Sequence, residues 1–92
     1  MGNQDEQLSV DQPAIYRIVI QGRLSPAWST RFDDMTISVE DGNVQPIRTV
    51  LTGRVADQAA LYGLLSRVRD LSLPLICVEF MGKDQGASHD NL

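Results

Sequence analysis

The sequence predicts an α+β fold, in which an antiparallel sheet of four strands carries one long helix and one short helix. Two observations indicate this class. Four segments carry apolar residues in the pattern of strands, and the segment 35–40 alternates without exception. The segment 57–71 carries them at the spacing of a helix. A chain of 92 residues, 42% of them hydrophobic and 22% charged, is sufficient for one small globular domain.

The first two strands are predicted at 15–24 and 35–40 because their apolar side chains recur at every second position. The apolar face of the first strand holds Tyr16, Ile18, Ile20 and Leu24, and that of the second holds Met35, Ile37 and Val39. The opposite face of the first strand holds Arg17, Val19, Gln21 and Arg23. Each strand is therefore expected to bury one face only.

A third strand is predicted at 47–55, after the turn sequence Asp41-Gly42-Asn43 and Pro46. Its apolar face holds Ile47, Leu51 and Val55, and its polar face holds Arg48, Thr52 and Arg54. The fourth strand, 75–81, is apolar on both faces apart from Glu79. Strands of this kind usually lie in the centre of a sheet or have both faces covered, so we expect one of these two positions.

Two helices complete the pattern. Ser25 and Pro26 are typical of a helix cap and first helical position, and they predict a short helix whose Trp28 and Phe32 close one end of the core. Asp57 predicts the start of the long helix, and Leu73-Pro74 predicts its end. Its buried stripe is predicted to hold Ala60, Leu61, Leu64, Leu65 and Val68.

The order of elements is strand, short helix, strand, strand, long helix, strand. This is the order of ferredoxin-like folds, with a reduced first helix. We expect a single domain at 14–82, a disordered N-terminal arm at 1–13 and a disordered C-terminal tail from residue 83 to the end, because both ends are polar and lack periodicity.

Charge and cysteine content restrict the partners and the compartment. The formal net charge is −4, which opposes broad electrostatic binding of nucleic acid or of an anionic membrane surface. Cys77 is the only cysteine, so it cannot form an intramolecular disulfide, and residues 1–12 do not resemble a signal peptide. No apolar run approaches the roughly 20 residues that span a bilayer. These features predict a cytoplasmic protein.

The most distinctive segment runs from Gly53 to Leu71 and reads G-x-V-x-D-Q-A-A-L-x-G-L-L-x-R-x-R-D-L. With Trp28-Ser29 and Phe32 upstream, it resembles a group of small uncharacterised bacterial proteins, and the resemblance covers residues 16–79. Glycine is usual in that group at the position of Ser72, and histidine is common at the position of Tyr62. These departures imply a less favourable helix end and no essential histidine. The resemblance implies no established activity.

Residue types that perform catalysis are scarce. The only histidine, His89, lies in the C-terminal tail, and Cys77 is the only thiol. Asp33 and Asp34 are adjacent, and adjacent side chains usually diverge, so we interpret them as a solvated turn. The glycines do not have the spacing of a phosphate-binding loop. We therefore expect no catalysis by this chain alone, no metal and no cofactor.

Nucleic-acid binding is also disfavoured by the sheet face that the long helix leaves uncovered. RNA-binding domains of similar architecture stack bases on aromatic residues of that face. Here the face is predicted to hold Arg17, Arg23, Arg48 and Arg54 without an aromatic residue. The arginines could hold phosphate, or they could form cross-strand pairs with Glu40 and Glu79.

Two surfaces remain as candidate interfaces. The uncovered sheet face is predicted to hold Val19, Val50, Cys77 and Met81, and the outer side of the long helix holds Ala59, Gly63 and Ser66 beside Tyr62. From Val19, Val50, Met81, Tyr62 and Gly63 we predict a non-catalytic interaction module, homodimeric or bound to a larger protein partner. The alternative is a sensing module that binds a small anionic ligand at Arg17, Arg48 and Arg54.

Overall fold

The computed structural model describes residues 10–40, 42 and 45–83. The elements are β1 (Ala14–Gln21), a 3₁₀ helix (Pro26–Phe32), β2 (Thr36–Glu40), β3 (Arg48–Val55), α1 (Gln58–Asp70) and β4 (Leu75–Lys83). The four strands form one antiparallel sheet in the order β2-β3-β1-β4. The α+β class predicted from the sequence is confirmed.

Most of the two predicted disordered ends lies outside the described residues, and so do Asp41 and Asn43 of the predicted turn. The final part of the N-terminal arm is described. The carbonyl oxygen of Val10 accepts a hydrogen bond from the backbone N–H of Gln58 at 2.8 Å. Residues 10–13 therefore lead into β1 past the start of α1.

The core lies between the sheet and α1. Ile18 in β1 stands between Leu51 of β3 and Val78 of β4, and both Ile18 and Leu51 have no exposed surface. The buried apolar residues that form this core are Ala14, Tyr16, Ile18, Ile20, Leu24, Phe32, Met35, Ile37, Leu51, Val55, Leu61, Leu64 and Val68. The apolar faces predicted for the first three strands point to this core, and all their members except Val39 and Ile47, which are partly exposed, are buried in it.

The helix α1 begins and ends close to the predicted residues. The carboxylate of Asp57 accepts a hydrogen bond from the Ala60 N–H at 2.8 Å, which satisfies one of the free donors of the first turn. At the other end, Ser72 has a φ of 61°, and its N–H and that of Leu73 donate to carbonyls of the last turn. Leu61, Leu64 and Val68 are buried, as the helical spacing predicts.

The short helix is a 3₁₀ helix of seven residues, capped by the Ser25 hydroxyl, which accepts from the Ala27 N–H at 3.1 Å. Phe32 is fully buried, and Trp28 is partly buried against the core. Asp33 and Asp34 follow with φ values of 54° and 60°, and both side chains are exposed. The predicted closure of the core by Trp28 and Phe32 is confirmed.

The strand β1 ends three residues before its predicted end because Gly22 has a φ of 107°, which interrupts the ladder. At this point the hydroxyl of Thr49 supplies hydrogen bonds in place of the strand ladder. It donates to the Gly22 carbonyl at 2.7 Å and accepts from the Leu24 N–H at 3.1 Å. Thr49 is completely buried, and it holds the segment after β1 against β3.

The position of β4 differs from the prediction. A strand that is apolar on both faces was expected in the centre of the sheet or under cover on both faces, but β4 is an edge strand that pairs with β1 only. The chain passes from β3 through α1 to the far side of β1, so the last strand becomes the outermost one. Its apolar pattern therefore does not reflect burial within the chain.

Candidate functional site

Most of the exposed large hydrophobic side chains among the described residues lie on β4. Seven large hydrophobic side chains are exposed, and five of them belong to this strand: Leu75, Ile76, Val78, Phe80 and Met81. We call these five residues the β4 edge strip. Their exposed fractions lie between 36% and 51%, although apolar residues of this size are normally buried in a strand. The strip is the feature of the fold that most needs an explanation.

Geometry explains why the strip is exposed. The helix α1 packs closest to β3, and β4 lies two strands away, at a distance of about 10 Å across the sheet. Val78 and Phe80 pair with Ile18 and Tyr16, so they lie on the helix side of the sheet but beyond the helix. The register shifts beside Ile76 and Met81 leave these two residues without a partner in β1.

The opposite edge of the sheet has a different character. The edge strand β2 has five residues, and its exposed face holds Thr36, Ser38 and Glu40. Short length and polar side chains are the usual means by which proteins keep an edge strand from pairing with another chain. β4 has nine residues, and Glu79 is the only charged residue before Lys83. The β2 edge is protected by its length and polarity, whereas the β4 edge has only the two register shifts at Ile76 and Met81.

The uncovered sheet face holds an apolar row that the chain itself buries. Val50 pairs with Val19, and Val19 pairs with Cys77. Val19 and Val50 are only 5% and 8% exposed, and Cys77 is half-buried. Arg17 and Arg48 flank the row on the same face, and long side chains of this kind can cover apolar neighbours with their aliphatic stems. Two of the predicted interface residues, Val19 and Val50, thus offer little surface to a partner.

The other predicted interface residues are more accessible. Met81 belongs to the β4 edge strip, and Tyr62 is 61% exposed on α1. Gly63 is exposed, and a methyl group added to it would meet no atom within 4 Å. Tyr62 and Gly63 lie on the outer part of α1, so the five residues do not form one surface. Their role in an interface stays a prediction.

The predicted ligand-binding arginines lie on the uncovered face, and two of them form cross-strand ion pairs. Arg17 contacts Glu79 at 3.2 Å and Arg48 contacts Glu40 at 3.3 Å, which is the pairing that the sequence offered as an alternative to phosphate binding. All four side chains are partly exposed, so each pair contributes little to stability. Arg54 is exposed one diagonal position from Arg17. Phosphate or metabolite binding at these residues stays a prediction.

An open cleft of about 450 Å³ lies between the 3₁₀ helix and the end of α1. Its charged groups are engaged with each other: Arg67 lies 3.6 Å from the Asp33 carboxylate and donates to the Arg31 carbonyl at 2.9 Å. The Arg31 guanidinium lies over the Trp28 ring at 5.2 Å. These contacts tie the 3₁₀ helix to α1.

The described residues include no group of three His, Cys, Asp or Glu side chains that could hold a metal ion. They also include no helix long and apolar enough to cross a membrane. His89 lies outside the described residues.

Sequence reasoning missed four members of the β4 edge strip as candidate interface residues: Leu75, Ile76, Val78 and Phe80. A usable signal was present, because the strand is apolar on both faces and only a polar tail was predicted to follow it, which leaves few elements to cover it. The apolar pattern predicts burial within the chain, whereas the topology places the strand at an edge.

Comparison with known proteins gives one match. The model of a family described as Domain of unknown function (DUF8691) matches residues 15–79, which is more than half of the chain. The predicted resemblance to an uncharacterised group is confirmed at this level, and the bacterial origin and the particular motif stay predictions. No curated protein and no solved structure matches the chain significantly.

Proposed function

We propose that this chain, which belongs to the family Domain of unknown function (DUF8691), is a non-catalytic protein-interaction module that acts with a partner protein. The observation that carries this proposal is the β4 edge strip. A long edge strand with five exposed apolar side chains offers both main-chain hydrogen bonds and apolar contacts, the two components of recognition by strand addition.

We also propose that the domain is ferredoxin-like. In that fold β1 and β2 lie on the two sides of β3, and the last strand joins the free side of β1, which gives the order β2-β3-β1-β4. The 3₁₀ helix then takes the place of a first helix. One α-helix of 13 residues leaves part of a four-stranded sheet uncovered, and β4 is the uncovered part.

The test compares the wild-type chain with two matched lysine variants on native cell extract. Met81→Lys places a charge in the β4 edge strip, and Ser38→Lys places the same charge on the exposed β2 edge. We expect immobilised wild-type and Ser38→Lys protein to retain the same proteins, and Met81→Lys to lose at least one of them. Identical retention by all three chains would contradict binding of a foreign protein at β4.

The outer side of α1 is a separate interface hypothesis. Because Gly63 has open space around it, Gly63→Leu should leave the fold intact and block only a close approach by another helix. Loss of a retained protein with Gly63→Leu, and not with Met81→Lys, would move the interface from β4 to the helix. We expect Gly63→Leu to behave as the wild type does.

A second candidate function is binding of a small anion on the uncovered sheet face. The observation that favours it is Arg48, whose Nε is buried without a hydrogen-bond partner while its guanidinium also faces Glu40. An anion could compete with Glu40 for this arginine if the side chain rotated. Phosphate should then raise the melting temperature of the wild type and not that of Arg48→Leu. An equal response of both proteins would remove this candidate.

A further inference from the structure

We propose that the occupant of the β4 edge is a second copy of this chain. The two β4 strands pair antiparallel about a two-fold axis, and the two four-stranded sheets become one continuous sheet. This inference rests on the proposed interaction function and names the partner that the β4 edge strip receives. It also explains why β4 is apolar on both faces although it lies at the edge of the sheet.

The composition of β4 is that of an interior strand. Leu75, Val78 and Phe80 on the helix side and Cys77 on the other side are the residue types of a strand with neighbours on both edges. Within one chain β4 has a neighbour on one edge only. Pairing with a second β4 supplies the missing neighbour, so the strand acquires the position that its sequence predicts.

The charges of β4 permit the strand to pair with a second copy of itself, and they do not favour a foreign strand. Between Leu75 and Gly82, Glu79 is the only charged residue, and its carboxylate contacts Arg17 of the same chain at 3.2 Å. A register with Val78 at the two-fold axis places Glu79 opposite Cys77 of the second copy, so the two Glu79 side chains are diagonal to each other and not directly opposed. It also places Ile76 opposite Phe80 of the second copy, which pairs large apolar residues.

The exposed apolar area fits a weak dimer. The five side chains expose 36–51% of their surfaces, which is roughly 400 Å² per chain if a large side chain has about 200 Å². This is about half of the area that each partner buries in a typical complex, so we expect the dimer to form in a concentration-dependent way.

The contact is isologous, so it closes after two copies. β2 is short and polar, and it gives the dimer no second edge along which a longer sheet could grow. The proposal therefore predicts a dimer and no higher assembly.

The experiment is sedimentation of the full chain over a wide range of concentration. We expect the wild type to reach twice the monomer mass of 10.2 kDa. Ile76→Lys and Met81→Lys should stay monomeric at concentrations where the wild type is a dimer, because both side chains are about half exposed in the single chain and can change without unfolding it. Ser38→Lys, on the other edge, should dimerise like the wild type.

Hydrogen exchange provides the second readout. In the dimer, amides of β4 that point away from β1 should exchange more slowly than in the Ile76→Lys monomer, while β2 amides should exchange equally in both. A wild-type monomer at every concentration would overturn the inference, and so would a dimer that both β4 variants leave intact. If the wild type is a monomer but Met81→Lys still abolishes retention of an extract protein, self-pairing is wrong and the proposed interaction function stands. If the wild type is a monomer and Met81→Lys leaves the retained proteins unchanged, the proposed function is wrong as well.

Discussion

The side-chain amide of Gln58 donates a hydrogen bond to the hydroxyl oxygen of Tyr16 at 2.8 Å and thereby joins the first turn of α1 to the central strand β1. The two residues are 42 positions apart in the sequence. The Tyr16 ring also meets Phe80 edge-on, with 5.9 Å between ring centres. Tyr16 is therefore the residue at which α1, β1 and β4 meet.

Replacing Tyr16 with phenylalanine should lower the free energy of unfolding by about 1 kcal/mol, because the ring packing is kept and one partly buried hydrogen bond is lost. Chemical denaturation measures the change. Tyr62→Phe, on the exposed side of α1, is the matched control and should have no effect. Equal effects of the two changes would show that the hydroxyl of Tyr16 is not a stabilising group.

The change Thr49→Val should be more costly, at about 2–3 kcal/mol. It removes a completely buried hydroxyl and leaves both the Leu24 N–H and the Gly22 carbonyl without their partner. Thr52→Val on the same strand is the control, since Thr52 is half-buried on the uncovered face. The midpoint of urea unfolding should fall for Thr49→Val and stay close to the wild-type value for Thr52→Val. The reverse order would be incompatible with the role assigned to Thr49.

Ser72→Gly should stabilise the domain by about 1 kcal/mol, because a residue with a side chain is strained at a φ of 61° and glycine is not. Ser66→Gly, which puts the same residue inside α1, should instead lower stability by about 0.5 kcal/mol. Thermal melting followed by circular dichroism distinguishes the two signs. A destabilised Ser72→Gly protein would contradict the left-handed conformation at the end of α1.

Leu64→Asp should unfold the domain, because Leu64 has no exposed surface and an unpaired charge at its position costs several kcal/mol beyond the lost burial. Small domains have about 5–15 kcal/mol of stability in total. Tyr62→Asp introduces the same residue on the exposed side of the helix and should retain a cooperative melting transition. A similar transition for Leu64→Asp would mean that α1 buries a different face.

The periodic parts of the chain were the predictable ones. Period-two alternation located β1, β2 and β3, and the capping residue Asp57 located the start of α1 to the residue. These signals are local, since a side chain's face and a helix's first turn depend on neighbours within a few positions. The end of β1 was missed although Gly22 lies inside the predicted strand, because the hydroxyl that holds the following segment belongs to Thr49, 27 residues away.

The candidate site was predictable only in part. Met81 lies in the β4 edge strip, but Val19 and Val50 were expected to be accessible and are buried. The role of Tyr62 and Gly63 stays a prediction. Parity assigned these two valines to the uncovered face correctly, and it carries no information about the long side chains that flank them. Whether a strand lies at the edge of a sheet depends on topology, and the apolar sequence of β4 predicted an interior or covered position instead.

The position of β1 between β3 and β4 also has a consequence for the order in which the protein can be made. β1 can pair with β3 as soon as Val55 has been synthesised, whereas its second partner begins about twenty residues later at Leu75. At cellular rates of translation this interval lasts on the order of seconds. During that time the nascent chain presents β1 with one edge open, and Ile18 has no neighbour on that side. Chaperones that bind exposed apolar strands would meet this chain in that interval, before its last strand leaves the ribosome.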